Sequence, residues 1–226
     1  MPKPIGSKKM THIETDKTEF SASDVCYRAF ELMHAKQYDD AEKLLAGNMA
    51  KTQDERSIAL YHSALGVLFK LKHDYKQAWQ HYDRAEKLLP DDPAIKIIAA
   101  RLLIERFKEY EKAIRRARKV LELVPDNPVF VHQAYITIGL AELGRGKKNA
   151  AVSAMLKSMG DHFSGFISAQ NIDLNLLESL LRKKYGLPEC KIFLDSAKDF
   201  AIRVEEERYA KQFSSFLSAF ERDYKA

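Results

Sequence analysis

An all-α, right-handed helical-hairpin repeat solenoid with C-terminal capping helices is the fold class this sequence predicts. Three observations carry the prediction. Residues 59 to 125 read twice as helix, short turn, helix, and each copy closes alike, in Leu88-Leu89-Pro90-Asp91-Asp92-Pro93 and Leu123-Val124-Pro125-Asp126-Asn127-Pro128. No stretch alternates with the period of two that a half-buried strand needs, and β-branched residues do not cluster. Proline and glycine punctuate the chain sparsely after Ser23, where apolar residues recur at helical spacing.

The elements follow in order. Asp24 to His34 and Tyr38 to about Met49 make a first hairpin, joined by Ala35-Lys36-Gln37. Glu55 to Leu71 and Tyr75 to Leu89 make the second, with Gly66 and Ala78 small enough for close backbone approach and Phe69 and Tyr82 filling the space beside them. Pro90 stops that hairpin, because proline cannot continue the hydrogen-bond ladder. Asp91-Asp92 before Pro93 is a helix-start signal. Ala94 to Phe107 and Tyr110 to Val124 form the third hairpin. Phe130 to Leu143, a turn through Gly144-Arg145-Gly146, and Asn149 to about Met159 form a fourth.

After Gly160 the pattern loosens through Gly165 and a polar run. Asp173 is placed to cap a helix through Leu174, Leu177, Leu180 and Leu181 that ends at Gly186. Glu189 to Tyr224 contains neither proline nor glycine and carries two apolar stripes, Phe193-Ala197-Phe200-Ala201-Val204 and Phe213-Phe216-Leu217-Phe220. These fit one long helix or two, with Glu205-Glu206-Glu207-Arg208 as the exposed middle. The domain division is thus a flexible basic leader (1–21), three to four hairpins (22–160), and a C-terminal helical cap or arm (161–226).

The hairpins resemble the tetratricopeptide repeat, a unit of about 34 residues with small residues at set positions and a proline near its end. Counted from Ala59, Gly66, Ala78, Ala85 and Pro90 occupy those places, and Tyr82 the large aromatic one; His62 stands where tryptophan is frequent. Counted from Ala94, Tyr110, Ala113 and Pro125 stay in phase, while Arg101 replaces the glycine and Val120 a small residue. Weaker copies flank these, around Ala29, Tyr38 and Ala41 and around Tyr135, Ile138-Gly139 and Ala151. The resemblance implies a scaffold that binds another protein, with the first helix of each hairpin lining a concave face.

On that resemblance the groove residues are Cys26 and Phe30, Leu60, Ser63 and Val67, Ile95, Ile98 and Leu102, and Ile136 and Leu140, with Ser23 and Gln133 at the corresponding flanking positions. The set is apolar, as a binding patch is, and suits an amphipathic helix or apolar peptide. The chain's own C-terminal helices are the competing occupant. Family members that clamp an acidic carboxylate use lysine and asparagine where this chain has Cys26, Phe30, Ala64, Ile95 and Ala99, none able to pair with a carboxylate. The apolar replacement looks more like the repeat chaperones of bacterial type III secretion, which hold hydrophobic segments.

Charge supplies a second candidate. Lys112, Arg115, Arg116 and Lys119 fall on one side of a helix and form a possible anion-binding stripe, usable along a phosphate backbone. Self-association through residues 189–226 is a third. Chemistry finds little footing. The histidines are scattered, with no H-x-x-x-H pair, and no glycine-rich phosphate loop or nucleophile elbow occurs; the expectation is a non-enzymatic protein with no cofactor and no metal. Cys26 and Cys190 are the two cysteines and read as unpaired thiols in a reducing compartment. The start of the chain lacks an apolar h-region, and Ile95 to Ile104 is broken by Lys96 and Arg101. Together these predict a soluble cytoplasmic protein with no membrane insertion.

Overall fold

The computed structural model describes residues 21–223. The expected leader therefore lies outside the described residues apart from Ser21. That residue is the cap of the first helix: its hydroxyl accepts from the Asp24 N–H while the Asp24 carboxylate accepts from the Ser21 N–H, a reciprocal pairing that satisfies two otherwise orphaned donors.

Among the described residues, regular structure is wholly helical. The order is α1 (Ala22–His34), α2 (Tyr38–Met49), α3 (Glu55–Leu71), α4 (Tyr75–Leu88), α5 (Pro93–Leu102), α6 (Tyr110–Leu123), α7 (Pro128–Gly144), α8 (Lys148–Ser158), α9 (Asn175–Arg182), α10 (Leu187–Arg203) and α11 (Glu207–Asp223). The starts are chemically explicit. Asp54, Asp74, Asp92 and Asn127 each accept from a backbone N–H in the first turn. Pro93 and Pro128 stand at the first helical position, where a missing N–H costs nothing.

Two local departures from the expected elements, and the outcome of one alternative left open, have physical causes. The helix expected to run to Phe107 ends at Leu102 and continues as one π-helical turn, Leu103–Phe107. This wide turn carries the Phe107 ring edge-on to Trp79, at 6.2 Å. Asp173 does not cap α9 as a helix N-cap would; its carboxylate accepts from Asn175, inside the first turn, and also takes the Arg101 guanidinium, so the helix starts later, after Leu174. The region from Glu189 is two helices. The break falls at Val204–Glu206, where Glu205 adopts the left-handed conformation (φ 59°).

Neighbouring helices pair antiparallel down the chain, and each hairpin packs on the next. Two large cores result. The first joins α1 to α5 through small residues and a few large ones: Ala29, Ala41, Ala78 and Ala99 around Leu45, Leu68, Phe69 and Tyr82. A Cβ added to Gly66 would collide with the Tyr82 ring, so the close approach of α3 and α4 depends on that glycine. The second core joins α7 to α11 and is aromatic: Phe163, Phe166, Phe193, Phe200 and Phe213 with Leu176, Leu177 and Leu180. Helix α9 packs on α7 and α8, α10 on α8 and α9, and α11 on α10, so these helices extend the stack from its end.

Candidate functional site

The residues expected to line the inner face divide into two sets. Phe30 is exposed, and Leu60, Ser63, Val67, Ile98 and Leu140 are half-buried. Cys26, Ile95, Leu102 and Ile136 are buried, and here the expectation needs correcting: they belong to the core and offer no surface. The reason lies in the packing between hairpins. Ile136 meets the cluster formed with Leu176 and Leu177 of α9, and Leu102 joins the cluster of Leu65, Leu68 and Ala99. The Cys26 thiol is pushed up to about 11 by burial, which makes it an inert packing group. Leu140 also packs against the C-terminal core. Among the described residues the C-terminal helices cover the chain at the fourth hairpin, where Leu176 of α9 rests against Gly139 of α7.

Tyr27, absent from the sequence-derived set, is 68% exposed one turn before Phe30. Its position between two groove positions of α1 was the available signal. One turn beyond Val67, Lys70 of α3 bonds Glu105 of the π turn at 2.7 Å.

The basic stripe of α6 is present, and most of it is neutralised. Lys112 pairs with Glu109 (3.2 Å), Lys119 with Glu122 (3.1 Å), and Arg116 with Glu86 (2.9 Å) while lying over the Trp79 ring at 5.3 Å. Glu86 also takes the buried Lys96, at 3.1 Å. Arg115 is exposed and has no ion-pair partner among the described residues.

Two histidine nodes were invisible in the sequence, because their partners are distant. His62 and His81 face each other, Nδ1 to Nδ1 at 2.9 Å, with His81 stacked on Phe69. Burial, then the neighbouring His62, pushes His81 down to about 4. His132 is fully buried. Its Nδ1 lies 2.9 Å from the Ser158 carbonyl oxygen, and its Nε2 accepts from the Asp173 N–H at 2.9 Å. These two bonds define a neutral ring protonated at Nδ1, and burial holds its pKa down to about 4. Asp173 adds a further link. Burial pulls its carboxyl upward, but Arg101 and Asn175 prevail and hold it below the usual range. Arg101 in turn donates to Thr137 Oγ1 at 2.8 Å. One polar network therefore ties α5, α7, the end of α8 and the segment entering α9. Among the described residues, no group of three or more His, Cys, Asp or Glu side chains is arranged to hold a metal ion, and no helix is long and apolar enough to cross a membrane.

Solved structures share this arrangement along nearly their whole length. PilW, described as a widely conserved type IV pilus biogenesis factor, superposes with a TM-score of 0.62 at 15% identity, covering 89% of this chain and 94% of that one. PilF of Pseudomonas aeruginosa gives 0.59 at 18% identity, over 91% and 93%. MamA from Desulfovibrio magneticus RS-1 gives 0.51 at 16% identity, over 92% and 99%. These are tetratricopeptide-repeat proteins. The fold is a tetratricopeptide-repeat solenoid. No family model matches the sequence, and no curated protein sequence does either.

Read as tetratricopeptide hairpins, the turns show a regularity that the side chains hide. A left-handed residue closes the first helix of each pair: Lys36, His73, Lys108, Gly146 and Lys184. At four of the five, that residue's N–H bonds three residues back and the next N–H five back, as in Lys36 to Met33 with Gln37 to Leu32, and Lys184 to Leu181 with Tyr185 to Leu180. The α9–α10 pair thus repeats the hairpin turn of the units before it, where the sequence pattern had appeared to lapse.

Proposed function

We propose that this protein is a non-enzymatic protein-interaction scaffold that holds an apolar or amphipathic helical segment against the inner face of its first hairpins. The carrying observation is the surface of Tyr27, Phe30, Leu60, Val67 and Ile98. It is partly exposed, aliphatic and aromatic, and its neighbouring Lys70 and Glu105 are already paired with each other. A partner helix that buries these side chains gains about 1.5–3 kcal/mol for each one fully covered, before ordering costs are subtracted. Such a face selects by shape and apolar complementarity and asks for no chemistry from the protein. The likeness to PilW, described as a type IV pilus biogenesis factor, supports a protein-interaction scaffold.

The test is capture of labelled amphipathic helices by the full chain and by Phe30→Ser/Val67→Ser, read by fluorescence anisotropy. The double variant is expected to lose roughly a hundredfold in affinity, with helicity by circular dichroism unchanged. Equal affinity of a folded variant overturns the inner-face assignment.

A further inference from the structure

Two adjoining cavities open along α8, away from the hairpins that form the inner-face surface. One, of about 470 Å³, runs along Gly146 to Ala150 with Tyr185 opposite. The other, of about 610 Å³, shares Asn149 and Tyr185 and continues over Val152, Leu156 and Pro188. The α9–α10 turn is pressed onto α8 here. Gly186 is left-handed (φ +64°), and a Cβ on it would come within 2.6 Å of a Val152 methyl. The Tyr185 hydroxyl bonds the Asn149 side-chain oxygen, and Lys148 lies over the Tyr185 ring at 5.0 Å.

This packing gathers two basic clusters that are far apart in sequence. Lys147, Lys148 and Lys157 line the groove on the α8 side, Arg182 ends α9 with its guanidinium donating to Ser179, and Lys183 and Lys184 occupy the turn directly before Tyr185; all are exposed. None of the six has an ion-pair partner among the described residues, whereas three of the four cations in the α6 stripe do. Glu189 is the one carboxylate among the lining residues. The floor is aliphatic: Val152, Leu156 and Pro188.

We propose that this groove is a second docking site, independent of the inner face, for an acidic peptide segment that also carries aliphatic side chains. Unpaired cations around an apolar floor complement a ligand of that composition, attracting it over about a Debye length and then burying its aliphatic groups. Single-stranded nucleic acid fits less well. It gains much of its affinity by stacking bases on free aromatic faces, and the Tyr185 ring is already covered by Lys148 while its hydroxyl is bonded to Asn149.

The experiment uses the full chain and fluorescein-labelled probes: a peptide of about 16 residues (roughly 50 Å when extended) built from Glu and Leu with prolines interspersed so that it cannot form the helix the inner face takes, polyglutamate of equal charge, and oligo(dT). The Glu/Leu peptide is expected to bind tightest. Lys147→Glu/Lys148→Glu and Lys183→Glu/Lys184→Glu are each expected to weaken it by roughly tenfold or more at low salt, with Trp79 emission unchanged. Phe30→Ser/Val67→Ser is expected to leave it unaltered, which separates this site from the inner-face reading. Polyglutamate binding as tightly as the Glu/Leu peptide, preference for oligo(dT), or indifference to both charge reversals overturns the proposal.

Discussion

The two halves of this molecule reach the same architecture by different packing. From α1 to α5 the helices approach on small residues, Ala29, Ala41, Ala78, Ala85 and Gly66, with Tyr82 as the largest fully buried side chain. From α7 to α11 the core is a group of phenylalanines around a buried imidazole. Phe163 meets Phe166, Phe193, Phe200 and His132 within 6.3 Å, centroid to centroid. The first solution is local and repetitive, so each interface resembles the next. The second depends on residues brought from α7, the 159–172 segment and α10, so it forms as a unit.

The sharpest way to break that contrast is Phe163→Ala. Removing a fully buried ring that several others touch is expected to cost about 3–5 kcal/mol. In native-state hydrogen exchange the protection of α8 to α11 should drop while that of α1 to α4 holds. Uniform loss along the whole chain would show a single cooperative unit instead.

Acid gives a second, smaller separation. In the fold His132 takes no further proton until about pH 4, whereas in the unfolded chain it titrates near 6.5. The unfolded state therefore gains its proton first. Stability is complete above about pH 6.5 and is lost as pH falls towards 4, at about 1.4 kcal/mol per pH unit and about 3 kcal/mol in all. His132→Gln should remove this part of the pH dependence of denaturant unfolding. The residual acid sensitivity then belongs to His81, the other histidine held down to about 4, to His62, which burial also lowers, and to Asp173, whose carboxyl is held below the usual range.

The mildest probe addresses the first half. Gly66→Ala inserts a methyl where the Tyr82 ring stands and is expected to cost about 1–3 kcal/mol, seen as a lower denaturation midpoint. Trp79, packed on Phe107 under Arg116, reports that loss by fluorescence. A neutral outcome would mean that the α3–α4 interface can shift sideways without cost.

Much of the fold was legible because its determinants are local. The proline-bounded repeats, the Asp92 and Asn127 caps and the small residues facing Tyr82 all act within a few turns of chain, and the helix limits of the first four hairpins follow from them to within about two residues, except the end of α5, where the π turn intervenes. What escaped is long-range. Arg101 looked like a misfit at a glycine position, and only the fold shows it reaching Thr137 and Asp173. The inner-face residues were half legible. Spacing assigns a side of the helix, but whether Phe30 stays open while Leu102 is sealed depends on how far the adjoining hairpin leans over it. The repeat seemed to fail after Gly160 because α9 and α10 keep the turn of a hairpin while abandoning its side-chain pattern.

Those turns have a consequence for how the protein can be adjusted. Lys36, His73 and Glu205 hold a backbone shape that costs an ordinary residue about 1–2 kcal/mol and glycine nothing, against a chain-entropy penalty for glycine of roughly 0.5–1 kcal/mol. Nature has left slack at the rim of separate hairpins. A single exchange there can steady one rung of the stack while the side chains of both proposed docking surfaces stay as they are.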